Sequence, residues 1–153
     1  MKTRQWTLGF ILLIVFVVLG GFRDILFVNI NEQIDFNDGL IETYRVLDQF
    51  QFLNEHDTPS LVKGKWILTI AFSAVYLLLS IITFSYVLID RQGVKWLCIF
   101  YIGAFVTSGI TYLAGKLLGD PQLGYTLSRV LMGALQSPFP LMLMIPARML
   151  SNR

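Results

Sequence analysis

The last apolar stretch of the sequence carries the residues whose types and spacing point most clearly to chemistry. Arg129, Gly133, Gln136 and Pro140 are spaced so that an α-helix would place them on one side. A guanidinium and an amide on one side of an apolar helix can bind an anionic headgroup or an anionic substrate. We therefore predict a polar site on this helix to which Arg129 and Gln136 contribute.

Two carboxylates are candidate partners for this arginine. Asp24 follows the first apolar run of the sequence, and Asp120 precedes the last one. A buried Arg129 would need such a partner, whereas an Arg129 near the helix end would anchor in the headgroup region without one. We expect the buried pairing, because Gln136 would have no role on a side that faced only lipid.

Two prolines interrupt the same stretch. Pro138 and Pro140 each remove one backbone donor and leave the carbonyls of Ala134 and Gln136 without their helical partners. The pattern predicts a kink at this position, with Gln136 placed to line any cavity that the kink opens.

Catalytic and metal-binding residues are scarce. The sequence has one cysteine, Cys98, and one histidine, His56, which are predicted on opposite sides of a membrane. A Cys/His nucleophilic pair or a zinc site with three protein ligands is therefore not expected. We predict a protein that is not an enzyme and that binds no metal and no cofactor.

The composition explains where these residues must be placed. Of the 153 residues, 55% are hydrophobic and 14% are charged, against about 25% charged residues in soluble domains. Crossing about 30 Å of hydrocarbon takes about 20 apolar residues. Four uncharged runs are long enough, and three of them open with a tryptophan, as is typical of the headgroup boundary. The uncharged runs cover residues 6–22, 66–89, 96–115 and 130–147, and the last extends backwards past Arg129 to give a fourth span of about 123–147.

These runs predict an all-α membrane protein that forms a bundle of four transmembrane helices in a single domain. Lys and Arg are denser in residues 1–5, 90–95 and 148–153 than in the other connecting segments. This distribution predicts both termini in the cytoplasm and a bacterial inner membrane location. Scattered basic residues argue against nucleic-acid binding. Without a small-x-small cleavage pattern near residue 22, we expect the first span to be retained.

Residues 23–65 form the one sizeable segment outside the membrane. They hold four basic and eight acidic residues. After Asn37-Asp38-Gly39, a potential N-cap, apolar residues recur at helical spacing and predict an amphipathic helix on the outer surface. These are Leu40, Ile41, Tyr44, Leu47, Phe50 and Leu53. Such a helix would lie on its own bundle, on the membrane surface or on a partner.

Small residues in the third span indicate close helix packing. They recur four residues apart at 103/107 and at 104/108. In lipid, helices associate through such positions because apolar burial no longer drives them together. The span is therefore expected to pack tightly in the bundle, and it would also allow a homodimer.

Two stretches are similar to a known family. Residues 22–31 read FRDILFVNIN, and Arg129 is followed by QSPFP at 136–140 and by IPA at 145–147. With the order of the spans, this resembles the small membrane proteins associated with the exosortase F system in Bacteroidetes. The resemblance implies an accessory to a membrane-embedded cysteine transpeptidase that sorts exported proteins, with no established catalytic role of its own.

Residues and resemblance lead to two functional hypotheses. The first is a non-enzymatic accessory or assembly protein whose partners are membrane lipids and another membrane protein, an exosortase-like enzyme by the resemblance. The alternative is a small transport or lipid-binding protein that uses the Arg129 and Gln136 side of the fourth span.

Overall fold

A computed structural model describes residues 3–43 and 45–151 of the chain. That part is helical and contains no strand, which confirms the all-α prediction. Lys2, Tyr44 and Arg153, which entered the predictions above, lie outside the described residues. The elements are α1 (Thr3–Asn37), a 3-10 helix (Asp48–Glu55), α2 (Thr58–Ile82) with a π-helical end (Thr83–Val87), α3 (Arg91–Leu117), α4 (Pro121–Leu135) and α5 (Phe139–Ser151).

Several of these helices are suited to a bilayer. Among the described residues, α1, α2 with its π-helical end, and α3 are each long and apolar enough to cross a membrane. The pair of α4 and α5 passes the same test together but is bent by 65°. The chain therefore has three helices that can span a membrane, or four if the bent pair is one span.

The first helix is longer than the apolar run that predicted it. It continues through Asn37, because the charged residues Arg23 and Asp24 end an apolar run without ending a helix. It stops at Gly39, whose φ of +70° suits a residue without a side chain. There Leu40 N–H donates to the Asp35 carbonyl and Gly39 N–H donates to the Phe36 carbonyl, as in a Schellman motif.

This ending corrects the prediction of an amphipathic α-helix after Asn37-Asp38-Gly39. Asn and Asp favour the N-cap of a helix, whereas Gly favours the position just after a helix. Here Gly39 ends α1, and no helix begins at Asn37 or Asp38. None of the described residues in 40–43 and 45–47 is helical, and the 3-10 helix Asp48–Glu55 follows them.

Residues 17–72 form one compact unit, and the described residues before and after them form a second, which we call the main unit. The core of the 17–72 unit is apolar and joins α1, the 3-10 helix and α2. Its buried residues are Ile30, Val46, Leu53 and Leu61, with Leu26, Ile34, Phe50 and Leu68 packed against them.

A tight hairpin of α3 and α4 organises the main unit. Gly119, with a φ of +81°, makes the turn, and Asp120 then caps α4. Gly115 and Gly124 meet so closely that a Cβ on Gly115 would lie 2.5 Å from Gly124 Cα. Further along, Ser108 Oγ lies 2.7 Å from Ser128 Oγ.

The small residues of α3 therefore pack partly where they were expected. Ser108 is buried as predicted, but a Cβ on Gly103 would meet nothing within 4 Å. The close approach is made by Gly115, outside the predicted 103/107 and 104/108 pairs. A homodimer through this span remains a prediction.

The contact between the two glycines can be tested by adding one methyl group. We expect Gly115→Ala to lower the free energy of unfolding by about 1–3 kcal/mol, because the new Cβ would meet backbone that cannot rotate away. Thermal unfolding in detergent measures the loss. Gly103→Ala on the same helix is the control and should have little effect; equal melting temperatures of the two variants would contradict the close packing.

Candidate functional site

The break between α4 and α5 is held by one serine. Ser137 Oγ donates to the Ala134 carbonyl at 2.7 Å and accepts from Phe139 N–H at 3.2 Å. Pro138 has no N–H for the Ala134 carbonyl, so the serine hydroxyl replaces the missing donor. The same hydroxyl caps the start of α5. One hydroxyl thus supplies hydrogen bonds to two backbone groups at the break, both within three residues of Ser137.

The Tyr101 side chain reaches this break, with Ser80 and Tyr76 near its phenol, and we call these three residues and Gln136 the break cluster. Tyr76, Ser80 and Gln136 are almost fully buried. The Tyr101 hydroxyl donates to the Leu135 carbonyl, the last residue of α4, at 3.2 Å. Ser80 Oγ lies beside the Tyr101 phenol but makes no well-formed hydrogen bond within the described residues.

Arg129, which was predicted on the same side as Gln136, and Asp120, a predicted partner of Arg129, lie in other surroundings. Arg129 is exposed on α4. Asp120 is also exposed, and its carboxylate accepts from Leu123 N–H at 3.0 Å as the N-cap of α4. Gln136 follows the last residue of α4, so helical spacing from Arg129 no longer sets its direction. The exposure of Arg129 favours the alternative in which it anchors the helix.

A second arginine, Arg148, makes an ion pair within the main unit. Arg148 Nε lies 2.8 Å from Asp90 Oδ2, and Arg148 Nη2 lies 3.2 Å from Asp90 Oδ1. Asp90 also caps α3 by accepting from Gly93 N–H at 2.9 Å. The Arg148 hydrogen bonds, and then the Gly93 N–H, lower the pKa of the Asp90 carboxyl below its ordinary value. One carboxylate therefore fixes both the start of α3 and the end of α5.

Asp24, the remaining predicted site residue, belongs to the 17–72 unit. Arg23 Nη1 donates to Asp24 Oδ1 at 2.9 Å. The Arg23 guanidinium also lies over the Phe27 ring, 5.4 Å from its centroid, and Phe27 in turn contacts Phe72. Arg23 is thus held by an acid on one side and by an aromatic ring on the other.

Side-chain amides hold the segment between α1 and α2 in place. Asn29 Oδ1 accepts from Leu47 N–H at 2.8 Å, and Asn37 Nδ2 donates to the His56 carbonyl at 3.1 Å. Thr58 Oγ1 donates to Asp38 Oδ1 at 2.8 Å. We call residues 38–43 and 45–57, fixed in this way, the cap segment.

Sequence reasoning missed the residues that hold the ends and the break. Ser137 was not among the predicted site residues, although the hydroxyl of a serine next to a proline can donate to a released carbonyl. Asp90 and Arg148 were counted as charges of the connecting segments. Their pairing joins residues far apart in sequence, and no local pattern indicates it.

No group of three or more His, Cys, Asp or Glu side chains is placed to hold a metal ion in the part of the chain that the structure describes. Comparison of the chain with models of known protein families, with curated proteins and with solved structures finds no match.

The contribution of the Asp90–Arg148 ion pair to stability can be measured apart from that of helix capping. Asp90 and Asp120 both cap a helix, but only Asp90 also binds an arginine. We therefore expect Asp90→Asn to lower the melting temperature in detergent by several degrees more than Asp120→Asn.

The lowered pKa of Asp90 also predicts how the stability of the folded chain changes with pH. Because the Asp90 pKa is lower in the folded chain than in the unfolded one, its contribution is complete above the ordinary carboxyl pKa of about 4 and is lost as the pH falls through the lowered value. Asp90→Asn should remove that part of the acid sensitivity. Equal losses for the two variants at every pH would contradict the role of the ion pair.

Proposed function

We propose that this chain is a non-enzymatic accessory protein of the bacterial inner membrane, with four spans and both termini in the cytoplasm. It acts by presenting the cap segment to a second membrane protein. The exosortase-type sorting system that the resemblance implies is the system in which we place it.

The ends of α3 support a fourth span. This helix of 27 residues is about 40 Å long. Asp120, where α4 begins, follows its C-terminal end, and Arg148 near the end of α5 pairs with Asp90 at its N-terminal end. Together α4 and α5 therefore run the length of α3, as a broken span does and a re-entrant loop does not.

The observation that carries the proposed role is the order of the cap segment. Its backbone is tied to α1 by Asn29 and Asn37, and its Val46 and Leu53 are buried in the core of the 17–72 unit. Yet Leu47 and Phe52 are more than half exposed. Apolar side chains held outward on an ordered segment are suited to bind a protein without a large loss of conformational entropy.

A second function is favoured by the break between α4 and α5. Broken helices with buried polar groups are typical of transporters, where they line the substrate site. The buried Gln136 beside the 65° bend has that arrangement. In this alternative the break cluster binds a lipid headgroup or a small polar substrate.

Purification of the tagged full-length chain in mild detergent, followed by native mass spectrometry, tests both functions. The first predicts a co-purified membrane protein that is lost when Leu47 and Phe52 are both replaced by Ser. The matched control replaces Leu117 and Leu118, which are still more exposed and belong to the main unit, by Ser.

The two functions give different results. Retention of the partner by the Leu47/Phe52 variant would contradict the role of the cap segment. A bound lipid or metabolite that is lost on Gln136→Leu, with no protein partner, would support the second function instead.

A further inference from the structure

The contacts of the 17–72 unit set the depth of α1 in the membrane. Trp66 follows Lys65 at the predicted headgroup boundary of α2, and Lys65 Nζ donates to Asn31 Oδ1 on α1. Further into the span, Phe72 contacts both Phe22 and Phe27. Residues 22–27 of α1 are therefore level with Phe72, six residues or about 9 Å along α2 from Trp66.

We infer that Arg23 and Asp24 lie inside the bilayer, in place of the position outside it that the apolar run predicted, and that the side of α1 that carries Asp24 docks a transmembrane helix with a basic side chain from another membrane protein. This inference rests on the proposed accessory function and names a second contact, inside the membrane, for the same partner.

The two charged residues differ in how well this chain covers them. The Arg23 side chain is 21% exposed, whereas the Asp24 side chain is 69% exposed. Neighbouring residues of a helix do not face the same way, so their hydrogen bond leaves the carboxylate turned outward. Arg23 bonds only one oxygen of this carboxylate, and the exposed remainder would be costly in hydrocarbon. A basic group on a neighbouring helix would relieve that cost.

The surface around Asp24 is shaped for a close helix contact. Val17, Gly21, Asp24 and Val28 follow one another at helical spacing, and the three residues other than Gly21 are more than half exposed. A Cβ on Gly21 would meet nothing within 4 Å. A small residue beside a polar one allows two helix backbones to approach and a hydrogen bond to form between them. We call these four residues the Asp24 face.

Charge decides between the possible occupants. Lipid tails offer no donor to the carboxylate. A second copy of this chain packed through the same face would bring two Asp24 carboxylates together, and like charges repel. Arg23 is already held by Asp24 and Phe27, so the cation is expected from a different protein.

A synthetic helix tests the proposal. The full-length chain, carrying a donor dye on Cys98, is reconstituted in phosphatidylcholine vesicles with an acceptor-labelled helix of about 20 leucines. One version of the probe carries Arg about 9 Å from its end, and others carry Leu or Glu there. We expect the Arg probe to associate roughly three to thirty times more tightly than the Leu probe, and the Glu probe less tightly.

Variants distinguish a loss of binding at the Asp24 face from a loss of folding. Asp24→Asn should remove the preference for Arg, and Gly21→Leu should weaken binding of every probe while leaving thermal unfolding unchanged, because its side chain enters open space. Asp120→Asn, in the main unit, should bind as the unmodified chain does. Equal binding of the Arg and Leu probes, or an unchanged preference in Asp24→Asn, would overturn the inference.

The remaining outcomes distinguish this inference from the proposed function. Self-association that is lost in Gly21→Leu would assign the face to a second copy and overturn the inference. The Leu47/Phe52 variant should bind the Arg probe normally. If that variant loses its protein partner while the probes show no preference, the accessory function stands and the inference fails.

Discussion

Hydrocarbon offers no hydrogen-bond partner, and this constraint explains the polar contacts at the break between α4 and α5. Where the backbone leaves its helical pattern there, side chains supply partners for two of the released carbonyls. Ser137 does this for the Ala134 carbonyl, and the Tyr101 hydroxyl does it for the Leu135 carbonyl. The Ser108 and Ser128 hydroxyls satisfy one another between α3 and α4. The break between α4 and α5 is therefore a built feature and not a defect.

At the starts of α3 and α4, charged side chains supply the missing hydrogen-bond partners. Asp90 and Asp120 each accept from a backbone N–H at the start of a helix, where four such groups lack a helical partner. At Asp90 the arginine Arg148 adds a second function, because it ties the end of α5 to the start of α3. The 65° bend between α4 and α5 thus lies between two ends that Asp90 and Asp120 fix.

The sequence was sufficient for the helical class, but it predicted the bounds of the helices only in part and their contacts hardly at all. Apolar runs located α2 and α3, because almost all of run 66–89 lies within Thr58–Val87 and all of run 96–115 lies within Arg91–Leu117. They failed for α1, where Arg23 and Asp24 interrupt the run inside one continuous helix. Local spacing also placed Gln136 beside Arg129, but α4 ends between them and the two side chains have different surroundings. Pairings between distant residues, such as Asp90 with Arg148, have no local signal at all.

Arg23 and Asp24 connect this constraint to the proposed function. Arg23 bonds one oxygen of the Asp24 carboxylate while most of the Asp24 side chain stays exposed, so a position inside lipid would favour a further basic partner. Measuring the depth of Arg23 and Asp24 in the membrane is therefore the most direct test of this role. In a Cys98→Ala background, a spin label at Ile25→Cys is compared with labels at Ile70→Cys in α2 and Leu40→Cys after α1, all at exposed positions. We predict that the label at 25 relaxes with oxygen and resists a water-soluble nickel chelate, as at 70. Access of the chelate equal to that at 40 would place Arg23 and Asp24 outside the membrane and contradict the account.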